Sequence, residues 1–378
     1  MALTGAMSAA ISGLKTHMEA LNVVGNNIAN VNTYGYKAQR VTFKESIYNT
    51  LSAGSGGTVA MGGTNPRQIG YGCSIGTIDL DMSTQSLENT GIATDLFIQG
   101  DGFFLVGPKN VIVNSAEDAK ALSLSRVGDF EFGPDGYLTD GHGNVVYGFL
   151  TCNVDENGEL LEEAGTNGSG VSTALVPIRL PLKHEGANVD DPEDPGYIAP
   201  GTAVYPGVDQ DSGRNINPEN SANSGAVENQ FVQLESVSID ANGMITGVNS
   251  DTGDPVVVGY VALGNVVNPG GLQHTEGPYF TAGDAAGTLT IGTPNSSIPG
   301  YLNNQDDLAN GNTDNLEIGN MLLANNPVGL QPGFLEASGT DLAQEFANMI
   351  VYQRGYQANT RIVTVTDTML EELVNMKR

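Results

Sequence analysis

Asn153-x-Asp155-x-Asn157-Gly158 has the oxygen donors and the glycine turn that open a calcium-binding loop. The twelfth position of such a loop supplies a bidentate carboxylate, and here it is Ala164, so the stretch reads as a turn held by Asx hydrogen bonds. Gly100-x-Gly102 could begin a phosphate-cradling turn, but position 105 is Leu and the pair lies between two strand-like runs. That context rejects dinucleotide binding. The four histidines (His17, His142, His184 and His274) are scattered and make no ligand pair at metal spacing. No serine is read as a nucleophile elbow. Cys73 and Cys152 form no disulfide framework and read as two free thiols in packed sites. These residues call for no enzyme, no cofactor and no metal.

The bulk properties point the same way. The 378 residues suffice for two or three domains with real cores. With 15 Lys+Arg against 43 Asp+Glu the net charge is −28, which disfavours nucleic acid and anionic membrane surfaces as partners. Fifty glycines, seventeen prolines and no tryptophan indicate a turn-rich, β-rich middle, while 39% apolar content argues against disorder. The N-terminal MALTGAMSAAISGLKTHMEAL lacks the basic segment and unbroken apolar run of a cleaved leader, and no stretch is long and apolar enough to span a membrane.

What must position any function is a pair of terminal helices. Leu342, Phe346, Met349, Gln353, Tyr356, Thr360, Val363, Asp367, Leu370 and Val374 step alternately by four and three, which puts them on one side of a helix. Ser338, Thr340 and Asp341 offer N-cap oxygens. Leu3, Met7, Ala10, Leu14, His17, Leu21, Val24, Ile28 and Val31 repeat the pattern at the other end. Such narrow stripes suit a coiled-coil seam better than the centre of a globular core. The predicted seams pair with each other or with copies of themselves. The first helix is expected to end near Asn30–Asn32, with Gly35 supplying a turn.

At this point the residues resemble a known family. GNNIANVNTYGYKAQRVTF (residues 25–43), with SGLK (residues 12–15) before it, is similar to the N-terminal signature of the bacterial flagellar rod and hook axial proteins. EFANMIVYQRGYQANTRIVTVTDTMLEELVNMKR (residues 345–378) resembles the C-terminal signature, nearer to the hook members than to the distal rod members. TGIATDLFIQGDGFFLV (residues 90–106) and SRVGDFEFGPDGYLTDGHGNVVYGF (residues 125–149) resemble family motifs in the same order. The matched motif positions include Gly25, Asn26, Asn27, Asn30, Gly35, Lys37, Gln353, Arg354 and Tyr356.

The resemblance implies a structural subunit of a curved, hollow, torque-transmitting tube, exported by the flagellar type III system to the cell exterior. Its partners would be copies of itself, the distal rod protein, the hook cap protein, the hook–filament junction protein and the export apparatus. The alternatives are a distal rod protein or a secreted β-rich adhesin or enzyme. Some members carry cysteine-derived crosslinks to lysine between neighbouring subunits, which singles out Cys152, with Lys109 and Lys183 as loose candidates.

The expected fold is α+β and multidomain. The terminal helices (1–32 and 338–378) pair as a coiled-coil-like inner domain. Residues 33–79 are an extended linker packing on neighbouring subunits through Val59, Met61 and Ile69. An antiparallel β domain is discontinuous, 80–150 and 230–337, and 151–229 form an outer β or loop domain. Within the β domain, 95–99 and 102–106 read as a hairpin around Gly100-Asp101. So do 130–132 and 137–139 around Pro134-Asp-Gly136, while Gly264-Asn265 reads as a turn after the apolar run 256–263. The residues expected to carry assembly are Leu3, Met7, Leu14, Leu21, Val24 and Ile28 with Leu342, Phe346, Met349, Tyr356, Val363 and Leu370.

Overall fold

Two long helices and a long β-hairpin make one compact unit, residues 1–82 with 338–378; residues 83–337 make a second, whose described residues form antiparallel strands, turns and two short 3-10 helices. The computed structural model describes residues 2–57, 62–109, 113, 119–152, 170–171, 175–184, 199–205, 226–294 and 328–376. The calcium-like loop at 153–164, Val59, Met61 and the side chains of Leu3 and Cys152 lie outside them.

Helix α1 spans Ala2–Ala29 and helix α2 spans Leu342–Met376. Asp341 caps α2: its Oδ1 accepts from the backbone N–H of Ala343 at 2.9 Å and of Gln344 at 3.2 Å, which satisfies two orphan donors of the first turn. Ser338 and Thr340, the other candidate caps, instead donate to the backbone carbonyls of Asn30 and Asn27 at the end of α1. Asn27 meets Glu345, His17 lies 6.2 Å from the ring of Tyr352, and Gly13 lies against Asn359. Numbers fall on one helix as they rise on the other, so the pair is antiparallel.

The passage expected to be an extended linker is a two-stranded ladder. Strand β1 (Gln39–Glu45) pairs with β4 (Cys73–Leu80), and β2 (Tyr48–Ser52) continues the hairpin against β3 (Arg67–Gly70). Its glycine-rich tip hid the pairing, because the two halves are brought together across nearly thirty residues of weak pattern. The inner ladder packs on α1, where Thr16 approaches Cys73, whereas every residue of β2 and β3 is exposed.

In the second unit one fourteen-stranded antiparallel sheet dominates, its central path running 244–248, 255–261, 145–152, 103–107 and 123–125. The hairpin of 130–132 with 138–140 forms as expected, with Gly136 at φ 72° in its turn. The expected hairpin around Gly100-Asp101 does not. Leu96–Gln99 pairs with Gly329–Pro332, and Phe103–Gly107 pairs with three other strands. Arg126 explains the divergence: it donates to the carbonyls of Gly100 and Ile98 and sits 3.8 Å from the buried carboxylate of Glu336 on the returning chain. That guanidinium occupies the turn's inner side and sends its two strands to different partners. Gly264-Asn265 is not a turn either; it continues a strand, Leu263–Val266, after a break at Ala262.

The described part of 151–229 contributes to the same core as its flanks. Val176, Ile178, Ala203 and Tyr205 are buried in one cluster with Phe104 and Val146. The core is therefore continuous across position 150, where composition alone changed.

Candidate assembly interface

The site is built on the helix pair and the hairpin of the first unit. Asn27 has no exposed surface. Its Nδ2 donates to the Gln39 carbonyl at 2.8 Å and to Glu345 Oε1 at 3.2 Å. Its Oδ1 accepts from Gln39 N–H at 3.0 Å and from the Tyr36 hydroxyl at 2.9 Å. All four hydrogen-bonding sites of the amide are used, which is what a buried asparagine requires. One side chain thus joins the end of α1, the start of β1 and the first turn of α2. Asn26 and Asn30 extend the clasp: Asn26 Nδ2 donates to Tyr36 Oη, and Asn30 Nδ2 donates to the Asn26 carbonyl. Gly35, buried at φ 67°, lets the chain reverse so that Tyr36 reaches back, and Lys37 is buried beside it.

Electrostatics mark the same junction. Burial pushes the Glu345 carboxyl above its usual range; the Asn27 hydrogen bond opposes this and the nearby Asp341 charge adds to it. Glu345 Oε2 is buried without a hydrogen-bond partner. Tyr36 is raised by burial and then by the Glu345 charge, and Tyr352 likewise. Farther along, His17, Phe43 and Tyr352 stack as a trio with centroids 5.7–6.2 Å apart. Burial lowers the His17 pKa, and its Nδ1 is buried without a partner.

The helices approach through small residues. A Cβ at Gly13 would stand 2.6 Å from Asn359 Nδ2, and one at Gly355 would stand 2.7 Å from the His17 ring. The buried face of α1 is Ala10, Gly13, Thr16, Ala20, Val23, Val24 and Asn27. Of the residues expected to form its seam, Ala10 and Val24 are buried; Met7, Leu14, His17, Leu21 and Ile28 are half-buried at the flank. On α2, Met349, Val363 and Leu370 are half-buried, whereas Leu342, Phe346 and Tyr356 are exposed. The inner face of α2 runs through Glu345, Tyr352, Gly355, Asn359 and Thr366, with Val363 and Leu370 on the same side. The cause is steric: backbones close enough for these contacts leave no room for leucine between them. Gln353, Arg354 and Gly25 are exposed and lie outside the clasp. Gly13, Gly355, Asn359 and Glu345 were missed as contact residues, although three of them stand inside the quoted C-terminal motif.

The described residues hold no group of His, Cys, Asp and Glu arranged for a metal. Gly72-Cys73-Ser74-Ile75-Gly76 does have nucleophile-elbow spacing, contrary to the sequence reading, but Ser74 lies within β4 opposite Lys44 and no helix follows it. Cys73 is a free, half-buried thiol. No helix among the described residues is long and apolar enough to cross a membrane.

Exposure is uneven. Among the described residues, twenty-four large apolar side chains are exposed; Leu87, Ile92, Val248 and Val267 belong to the β unit and the other twenty to the helix–hairpin unit.

Residues 331–376 match the family described as flagellar basal body rod FlgEFG protein C-terminal, and residues 7–37 match the flagella basal body rod protein family. The flagellar hook protein FlgE of Borreliella burgdorferi is 28% identical over 97% of this chain and 98% of its own. The basal-body rod protein FlgG of Bacillus subtilis is 28% identical over 97% of each. The FlgE of Helicobacter mustelae is 36% identical over 40% of this chain and 32% of its own. Both terminal segments thus match families of flagellar rod proteins, and over its full length the chain is similar to flagellar hook proteins and basal-body rod proteins alike.

Proposed function

We propose that this chain is the repeating subunit of a flagellar hook, a curved hollow tube that couples rod to filament and transmits torque. One observation carries this: among the described residues, most exposed large apolar side chains crowd onto the helix–hairpin unit, whose narrow helices and two-stranded ladder cannot bury them alone. Copies of the chain covering one another would. The clasp around Asn27 holds the helix ends and hairpin in a fixed relation, so each copy offers the same faces. The described residues of the β unit expose few large apolar side chains, which suits contacts that slide as the tube bends. In this reading the chain leaves by the flagellar export route and meets the distal rod protein, the cap protein and the junction protein at the tube's ends.

A distal rod protein is the second reading, favoured by the full-length similarity to FlgG. Sedimentation and electron microscopy of the concentrated full chain separate the two. Curved tubes are expected; straight, rigid rods favour the second reading, and a chain that stays monomeric at every concentration overturns both.

A further inference from the structure

Charge and exposed apolar surface are divided between the two units. In the helix–hairpin unit nine Lys and Arg stand against nine Asp and Glu, so its net charge is zero. In the β unit six stand against thirty-four, so that unit carries the whole −28. Four of the six cations are already committed within the chain. Lys109 pairs with Asp135, Lys183 with Asp251 and Arg126 with Glu336, and Arg179 is buried against the Phe231 ring. Glu88, Glu131, Glu235, Asp254 and Glu276, by contrast, are exposed and make no ion pair among the described residues. Apolar exposure follows the opposite division: among the described residues, twenty of the twenty-four exposed large apolar side chains lie on the neutral unit.

We infer that dissolved cations govern assembly through the β unit: the neutral unit supplies the attraction between copies, and the polyanionic unit opposes it until salt screens its charge. This rests on the reading that the chain assembles from copies of itself, and it names what regulates that step. The chain passes between the units only at residues 82–83 and 337–338. Copies that pack through the first unit therefore carry the second along at the same repeat. A charge of −28 on each copy, brought to that repeat, repels itself. With most cations of the β unit committed to their own chain, a neighbour's carboxylates find little to pair with, and the counter-charge must come from solution. Raising salt from about 0.01 M to about 1 M shortens the reach of the repulsion from about 30 Å to about 3 Å. The attraction is apolar and has no charge to screen. At low salt the chain stays dispersed, and at high salt the same faces associate.

The test measures, by sedimentation, the critical concentration for assembly of the full chain in NaCl from about 10 mM to about 1 M. Beside it stands a variant carrying Glu88→Lys, Glu131→Lys, Glu235→Lys, Asp254→Lys and Glu276→Lys. The parent's critical concentration should fall about tenfold or more across that range. The variant, about ten charges less negative, should assemble at an about threefold lower concentration in the lowest salt and respond less to added salt. Because salt also strengthens apolar contact, the difference between the two slopes is the decisive reading. Urea unfolding followed by tyrosine fluorescence checks that the variant is folded, and Gln or Asn at the same five positions, with half the charge change, should give a shift of the same sign. A critical concentration that ignores salt or rises with it, or equal slopes for parent and variants, overturns the inference while self-assembly stands. So does a requirement for about 1 mM calcium at fixed ionic strength, which means a bound ion in place of screening. Failure of the parent to assemble at any salt concentration overturns the function on which the inference rests.

Discussion

Asn27→Ala should loosen the helix–hairpin unit by about 2–4 kcal/mol. The variant removes both donors and both acceptors of a side chain with no exposed surface. It leaves the backbone N–H and carbonyl of Gln39 without these partners, and each buried unsatisfied group costs about 1–3 kcal/mol. Gln39 is half-buried, so water recovers part of that cost and the sum stays below the maximum. Asn27→Asp is the sharper probe. It keeps the size and the acceptor for Gln39 N–H and Tyr36, but loses both donors and sets a second carboxylate against Glu345, 3.2 Å from the replaced nitrogen. Glu345 is already raised by burial, and a like charge raises it further. A carboxyl whose folded pKa lies above its unfolded value of about 4.3 binds its proton more tightly when folded, so stability is lost as pH rises through the folded pKa. The deficit of the aspartate variant should therefore be large near about pH 8 and shrink towards about pH 5, while that of the alanine variant changes little. Both α-helices of the described residues belong to this unit, so far-ultraviolet circular dichroism during urea or thermal unfolding reads it directly. The reasoning fails if Asn27→Ala unfolds within about 0.5 kcal/mol of the parent, the usual span of neutral surface changes. It fails equally if the aspartate deficit does not depend on pH.

Three more outcomes follow from the same contacts. Gly13→Leu and Gly355→Val should each cost about 1–3 kcal/mol by forcing the helices apart, whereas Gly25→Ala, where a Cβ meets nothing within 4 Å, should be neutral or stabilising; the helical melting curves decide. The folded-state pKa of His17 is lowered by burial, so the stability linked to it is present above the unfolded value of about 6.5 and is lost as pH falls through the folded pKa. His17→Leu should flatten that limb of the pH profile measured by denaturant unfolding. In the β unit, Arg126→Met removes the cation opposite the buried Glu336 carboxylate, which keeps the Gln85 N–H at 2.9 Å, and should cost about 3 kcal/mol, part of which Arg126→Met with Glu336→Gln should recover; a double-mutant cycle of these two changes measured by tyrosine fluorescence tests this.

The sequence by itself determined the parts of the chain governed by local rules. Four–three periodicity marked both helices, Asp341 and the asparagines near residue 30 marked their ends, and Pro134-Asp-Gly136 marked a hairpin, because caps, turns and helix faces depend on neighbours a few residues away. The terminal motifs also named the family. Tertiary structure alone decided which face of each helix is buried. Periodicity finds an apolar stripe but not its partner, and here close backbone approach at Gly13 and Gly355 favours the small face, leaving most large seam residues half-buried at its flank or exposed. It also decided strand pairing at long range. Residues 39–45 find 73–80, and 96–99 find 329–332, through hydrogen bonds that carry no sequence code of their own. A buried arginine at position 126 overrides the hairpin that Gly100-Asp101 seemed to dictate, because a desolvated charge must take the acceptors within its reach.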